Sequence, residues 1–202
     1  MEKAKLVELV RQEVVRQQPT LDSVEHTHPQ AIEDEVERAY DALVKQYYAN
    51  NKNMLEADFD YYAKKYNSNA VQSVSDDIRY IQLPAKVIDL PMGTGLVHAR
   101  ARGGKINFHR VTEAELDSIR NLEIYCCSGK VFYYKDGDRI VLDSPINEFG
   151  LIESVDLKLV VPFSEFLDTD DIHLPTGDMV VSSMILELMG YKPTDNTNDN
   201  IA

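Results

Sequence analysis

The chain is poor in cysteine, has no tryptophan and contains no long apolar run, and these shortages remove whole classes of protein. Its only cysteines, Cys126 and Cys127, are adjacent. A bridge between neighbours closes a very small, strained ring, so a disulfide-stapled secreted domain is not expected. The two thiols are expected to point to opposite faces of a strand. No stretch approaches the ~20 apolar residues that cross a bilayer. The opening MEKAKLVELVRQEVV is charged where a secretory leader is apolar. Together these predict a protein kept in a reducing cytoplasm, or assembled there into something larger. The last shortage is local. From Leu90 to Thr112 the chain reads LPMGTGLVHARARGGKINFHRVT and has no carboxylate at all, although the formal charge of the whole is -13.

What is present is an ordinary apolar share, 44%, in 202 residues, enough for one domain with an appendage or for two small domains. Leu6, Val7, Val10 and Val14 recur at helical spacing and predict a helix over Lys3 to Gln17. Pro29 suits a first helical turn, early acids favour the helix dipole, and Ile32, Val36, Ala39, Tyr40, Leu43 and Tyr47 share a face, so a second helix should run from Pro29 to about Tyr48. Met54 to Tyr66 fits either a third helix or a strand. From Asp76 the period changes to short branched and aromatic runs: Ile78 to Leu83, Lys86 to Leu90, Leu96 to Ala101, Ile106 to Val111, Leu122 to Cys127, Lys130 to Lys135, Arg139 to Leu142 and Asp156 to Val161. Asp136-Gly137-Asp138 marks a hairpin, and Thr112 should cap a short helical turn. Asp178 to Met189 reads as a closing helix ended by Gly190.

The expected fold class is α+β: N-terminal helices, a central small antiparallel β-sheet or sandwich, a C-terminal helix and an extended polar tail. The expected divisions are a helical region over 1–75, an antiparallel β domain over 76–166, a loop and helix over 167–190, and a tail over 191–202 that orders on assembly.

Tests for chemistry mostly fail. His26 and His28 alternate but lack further ligands of metal-site spacing. Gly93-Thr94-Gly95 lacks the third glycine of a dinucleotide loop and the lysine–hydroxyl pair of a P-loop. No Gly-x-Ser-x-Gly elbow occurs, and Asp168, Asp170 and Asp171 do not follow the calcium-loop pattern. No enzyme, cofactor or metal is expected. The carboxylate-free island, with Arg100, Arg102, Lys105 and Arg110, is the candidate site, and its glycines predict exposed turns. Cations on a projecting loop suit phosphate backbone, while Phe108 alone offers little for base stacking. A protein interface is the other reading. Asp143, Glu148, Glu153, Asp168, Asp170 and Asp171 form a candidate acidic counterpart surface, and a basic patch paired with an acidic one on identical copies closes into rings when the rotation allows. A solvated loop is the plain alternative to both.

The order of segments carries a resemblance. Acidic helices with Ala31-Ile32, Glu37-Arg38-Ala39-Tyr40 and Tyr47-Tyr48 come first. Asp77 to Tyr80, Leu83-Pro84-Ala85, Val87-Ile88-Asp89-Leu90-Pro91 and the Gly95 loop follow, then a short sheet, a closing helix and Pro193-Thr194-Asp195-Asn196. This resembles the head-to-tail connector or adaptor ring proteins of tailed bacteriophages, of the crAss-like phage type. The resemblance implies a virion structural protein, assembled in the bacterial host cytoplasm. It would form a homo-oligomeric ring, twelve-fold, that binds the portal protein and tail or other ring proteins and extends the channel for passing DNA. It implies no catalytic residues. The alternative is an accessory module that contacts nucleic acid through the basic segment from His98 to Arg110.

Overall fold

A computed structural model describes residues 1–17, 29–51, 62–73, 78–88, 90, 95–102, 106–122, 125, 130–144, 152–174 and 178–191. The fold class is α+β. The chain divides into two compact units, one holding Met1–Tyr62 with Pro162–Ala202 and the other Ala63–Val161.

The first unit is helical. Helix α1 (Lys3–Gln17) buries Leu6, Val10 and Val14, one side chain per turn. Helix α2 (Pro29–Asn50) buries Ile32, Val36, Ala39, Tyr40, Leu43, Val44 and Tyr48. Both helices touch the C-terminal helix, which the chain reaches through a short 3-10 turn, Phe163–Glu165. Tyr40, fully buried, centres an aromatic cluster with Phe163 at 4.8 Å and Tyr62 at 5.6 Å between ring centroids. Asp41 fixes the turn by accepting the Phe163 N–H at 3.0 Å. Lys3 is buried because its ammonium donates to the Phe166 carbonyl at 3.1 Å and lies 4.9 Å from the Phe163 ring centroid.

Among its described residues the second unit holds these elements: β1 (Ala63–Ala70), β2 (Gln72–Ser73), β3 (Ile78–Gln82), β4 (Leu96–Ala101), β5 (Asn107–Arg110), α3 (Glu113–Arg120), β6 (Lys130–Asp136), β7 (Arg139–Asp143) and β8 (Ser154–Val160). They make a three-stranded sheet, β1-β8-β4, and a five-stranded sheet, β2-β3-β7-β6-β5. β4 lies beside β5 and β1 beside β3, so the two sheets meet at both margins. Val155, Leu157, Leu159, Leu96 and Ala99 of the first sheet and Ile81, Val131, Ile140 and Leu142 of the second are all buried. Each large aliphatic side chain taken from water contributes about 1.5–3 kcal/mol, so these alternating positions hold the unit together. Helix α3 covers the opposite face of the larger sheet through Leu116, packed with Val111 and Phe132. Thr112 caps it in a reciprocal capping box with Glu115. The α4 helix (Asp178–Leu188) belongs to the helical unit and ends at Gly190, whose φ of 85° lets the Tyr191 N–H reach the Leu186 carbonyl at 2.8 Å.

Several expectations are corrected. The helical region does not extend to residue 75, because β1 begins at Ala63 and β2 at Gln72, and the closing helix joins the N-terminal helices. The described residues of Lys86 to Leu90 form no strand; the Ile88 N–H donates to the Val160 carbonyl at 2.9 Å and holds them beside β8. Neither described residue at the start of Leu122 to Cys127 is in a strand: Leu122 donates its N–H to the Ile119 carbonyl at 2.9 Å just past the end of α3, and Tyr125 is helical, donating to the Leu122 carbonyl at 3.0 Å. Cys126 and Cys127 lie outside the described residues, as do the ambiguous segment before Tyr62 and the tail beyond Tyr191. The larger sheet is mixed, since β5 pairs with β6 in parallel. Helix α3 between them carries the chain back to the starting end, which parallel neighbours require. The hairpin at Asp136-Gly137-Asp138 joins β6 to β7, with Gly137 at φ 58°.

Candidate functional site

The outer face of the small sheet gathers cations from all three of its strands. On β8, Val155, Leu157 and Leu159 point inward, so Ser154, Asp156 and Lys158 point outward. The register sets Lys65 of β1 and His98 of β4 on either side of Lys158, and Arg100 of β4 beside Asp156. Adjacent strands lie about 4.8 Å apart, so the Lys65–Lys158–His98 row spans about 10 Å.

Two register shifts shape this face. On β4 a shift between Leu96 and His98 turns Leu96 inward and His98 outward, where unbroken alternation would send both the same way. On β1 the shift between Tyr66 and Asn69 places Ser68 at φ 60°, a left-handed conformation uncommon for serine. Two contacts hold it there, and a third anchors Arg102. The Ser68 N–H donates to Asp156 Oδ1 at 2.8 Å, Arg102 Nη1 donates to Ser68 Oγ, and the Arg102 N–H donates to the Ser154 carbonyl at 3.3 Å. The face is concave, with a cavity of about 420 Å³ lined by Lys65, His98, Arg100, Asp156 and Lys158. Such a surface can take carboxylate or phosphate oxygens through charge-assisted hydrogen bonds.

The four island cations therefore separate. Arg100 and Arg102 belong to this face. Arg110, on β5, donates Nη1 to the Leu96 carbonyl at 3.3 Å and ties β5 to β4. Lys105 lies outside the described residues. Lys65 and Lys158 join the site although the sequence placed neither near it. The glycines do not all form exposed turns either. Gly95 is buried, and a Cβ there would sit 2.5 Å from the Ile88 carbonyl oxygen and 2.5 Å from Val87 Cγ1.

The acidic counterpart surface is corrected in part. Asp143 is 2% exposed and structural: Arg120 Nε donates to it at 2.8 Å, and the Tyr125 hydroxyl donates to its other oxygen. Burial first, then this bond to a carboxylate, pushes the Tyr125 hydroxyl above the ordinary tyrosine range. The Asp143 hydrogen bond raises Arg120 likewise. Glu148 lies outside the described residues. Glu153 is exposed in the sheet unit, whereas Asp168, Asp170 and Asp171 belong to the helical unit. There Asp170 accepts the Leu167 N–H at 2.9 Å, and the Asp171 side chain is 74% exposed.

Charge is divided between the units more sharply than the island alone implies. Ala63–Val161 carries thirteen Lys and Arg against thirteen Asp and Glu. The remaining residues carry eight against twenty-one, a difference that accounts for the entire -13. The sheet unit is neutral as a whole yet concentrates cations on one face.

Among the described residues no group of three His, Cys, Asp or Glu side chains is placed to hold a metal ion. His98 is on the small sheet, His109 on the larger one and His173 in the helical unit; His26 and His28 lie outside the described residues. No helix among the described residues is long and apolar enough to cross a membrane. Neither a protein-family model nor a curated protein matches the chain.

Proposed function

We propose that this protein is a virion structural component that forms an oligomeric ring at the head-to-tail junction of a tailed bacteriophage. In that role it binds the portal and tail proteins and extends the channel through which DNA passes. The observation that carries the reading is the charge division: the sheet unit is neutral with one cationic face, and the helical unit holds all of the net negative charge. Two unlike surfaces on one chain suit heterologous contacts between identical copies, which close into rings. The order of segments, acidic helices before a small sheet and a closing helix, supports the same reading. An acidic chain also suits a channel that DNA crosses without adhering, since like charges repel along the path. The test is co-sedimentation of the purified protein with a portal ring. Binding with ring-sized stoichiometry supports the proposal, and a strict monomer that ignores the portal counts against it.

A second reading keeps a specific observation in its favour. The Lys65–Lys158–His98 row, with Arg100 and Arg102, also suits the backbone of a nucleic acid. An accessory module of that kind would bind duplex DNA in a strongly salt-dependent way.

A further inference from the structure

We infer that the cationic face of β1-β8-β4 is the docking surface for the acidic helical unit of a second copy of this chain. The inference rests on the ring reading for the fact of self-association and adds which surfaces meet.

Three features favour a protein partner over a phosphate backbone. The face is not uniformly cationic: Asp156 stands beside Arg100 in its middle, held by the Ser68 N–H. A run of phosphates would meet that carboxylate unfavourably, whereas a protein surface can set a donor against it and carboxylates against Lys65, Arg100 and Lys158. The face also offers no stacking platform, because Tyr66 on β1 is paired with inward-facing Leu157 and turns away from Lys65 and His98. Finally, the complementary surface is present on the chain itself. The helical unit holds the whole -13, with exposed Asp168 and Asp171 and, on α2, exposed Asp34 and Glu35. The same charge repels nucleic acid at long range.

The contact joins unlike surfaces, so in the ring reading it is heterologous: each copy presents one surface of each kind and association propagates. A copy with its basic face reversed should still receive a neighbour on its acidic unit while offering none itself, and should therefore terminate growth.

The experiment uses the full chain and the variant Lys65→Glu, Arg100→Glu, Lys158→Glu. All three side chains are on the outer face of the sheet, so an unchanged circular dichroism spectrum and melting temperature should show that the variant folds. Mass is measured by sedimentation from about 25 mM to about 500 mM salt, a range over which exposed ion pairs become screened. The natural chain should assemble at low salt and dissociate at high salt. The variant should lose more than about a hundredfold in association and, mixed with the natural chain, should shorten its assemblies. A folded variant that assembles as the natural chain does would overturn the inference and leave the ring reading standing. A natural chain that stays monomeric yet binds a duplex oligonucleotide through these cations would overturn the inference in favour of phosphate. Failure to engage either a second copy or a portal would instead sink the ring reading.

Discussion

Replacing Asp143 by Asn should destabilise the sheet unit by about 2–3 kcal/mol, far more than any surface charge. Asp143 is 2% exposed and sits on β7 beneath α3. One oxygen accepts from Arg120 Nε at 2.8 Å and from Nη2, and the other accepts from the Tyr125 hydroxyl. An amide keeps the size but removes the charge and turns one acceptor into a donor aimed at Tyr125 or Arg120. A hydrogen bond to a charged group contributes about 1.5–3 kcal/mol, and removing one partner of a buried pair costs about 3–5 kcal/mol. The Arg120 side chain is 37% exposed, so water recovers part of its solvation, which sets the expected cost at the lower figure. The control is Asp136→Asn, whose pair with Arg139 is long, 3.8 Å, and whose side chain is 59% exposed; it should change stability by less than about 0.5 kcal/mol. Urea denaturation followed by tyrosine fluorescence, fitted without assuming that both units unfold together, compares the two. Equal and small effects would refute the assignment of Asp143 as an internal tie and return it to the acidic surface.

Other outcomes follow from the same packing. Gly95→Ala should destabilise the sheet unit by at least about 1–3 kcal/mol, because its Cβ would press 2.5 Å from the Ile88 carbonyl oxygen; thermal denaturation reads this directly. Tyr40→Phe should be neutral or stabilising by about 1 kcal/mol, since the buried Tyr40 hydroxyl has no hydrogen-bond partner among the described residues. Stability should fall as pH rises above about 10, the ordinary tyrosine value. Burial raises Tyr40, Tyr62, Tyr125 and Tyr134, so the folded chain keeps protons that the unfolded chain loses. Denaturation midpoints at pH 9 and pH 11 test the sign, and Tyr40→Phe should reduce the slope by up to about 1.4 kcal/mol per pH unit.

The helices were legible because each buries a stripe at a period that needs no partner to be seen: Leu6, Val10 and Val14 on α1, and Ile32, Val36 and Leu43 on α2. The capping box at Thr112 and the turn at Gly137 are equally local signals. Strand β1 was not legible. AKKYNSNA is polar and interrupted by a register shift, and it becomes a strand only through pairing with β8. The parallel β5–β6 pairing depends on α3 being a full helix, where the residues suggested a single turn. The candidate site was half legible for the same reason. Arg100 and Arg102 stand out in a stretch without carboxylates, while Lys158 lies among acids in the chain and meets Lys65 and His98 only through the register.

In the proposed role, unlike surfaces on identical copies build a ring. Native mass spectrometry of the natural chain at low salt, alone and with a portal ring, tests it most directly. The expected result is a closed species at one integral multiple of the 23.0 kDa chain, twelve copies by the resemblance, that is lost when Lys65, Arg100 and Lys158 are reversed. A mass that stays at one copy under both conditions would contradict it.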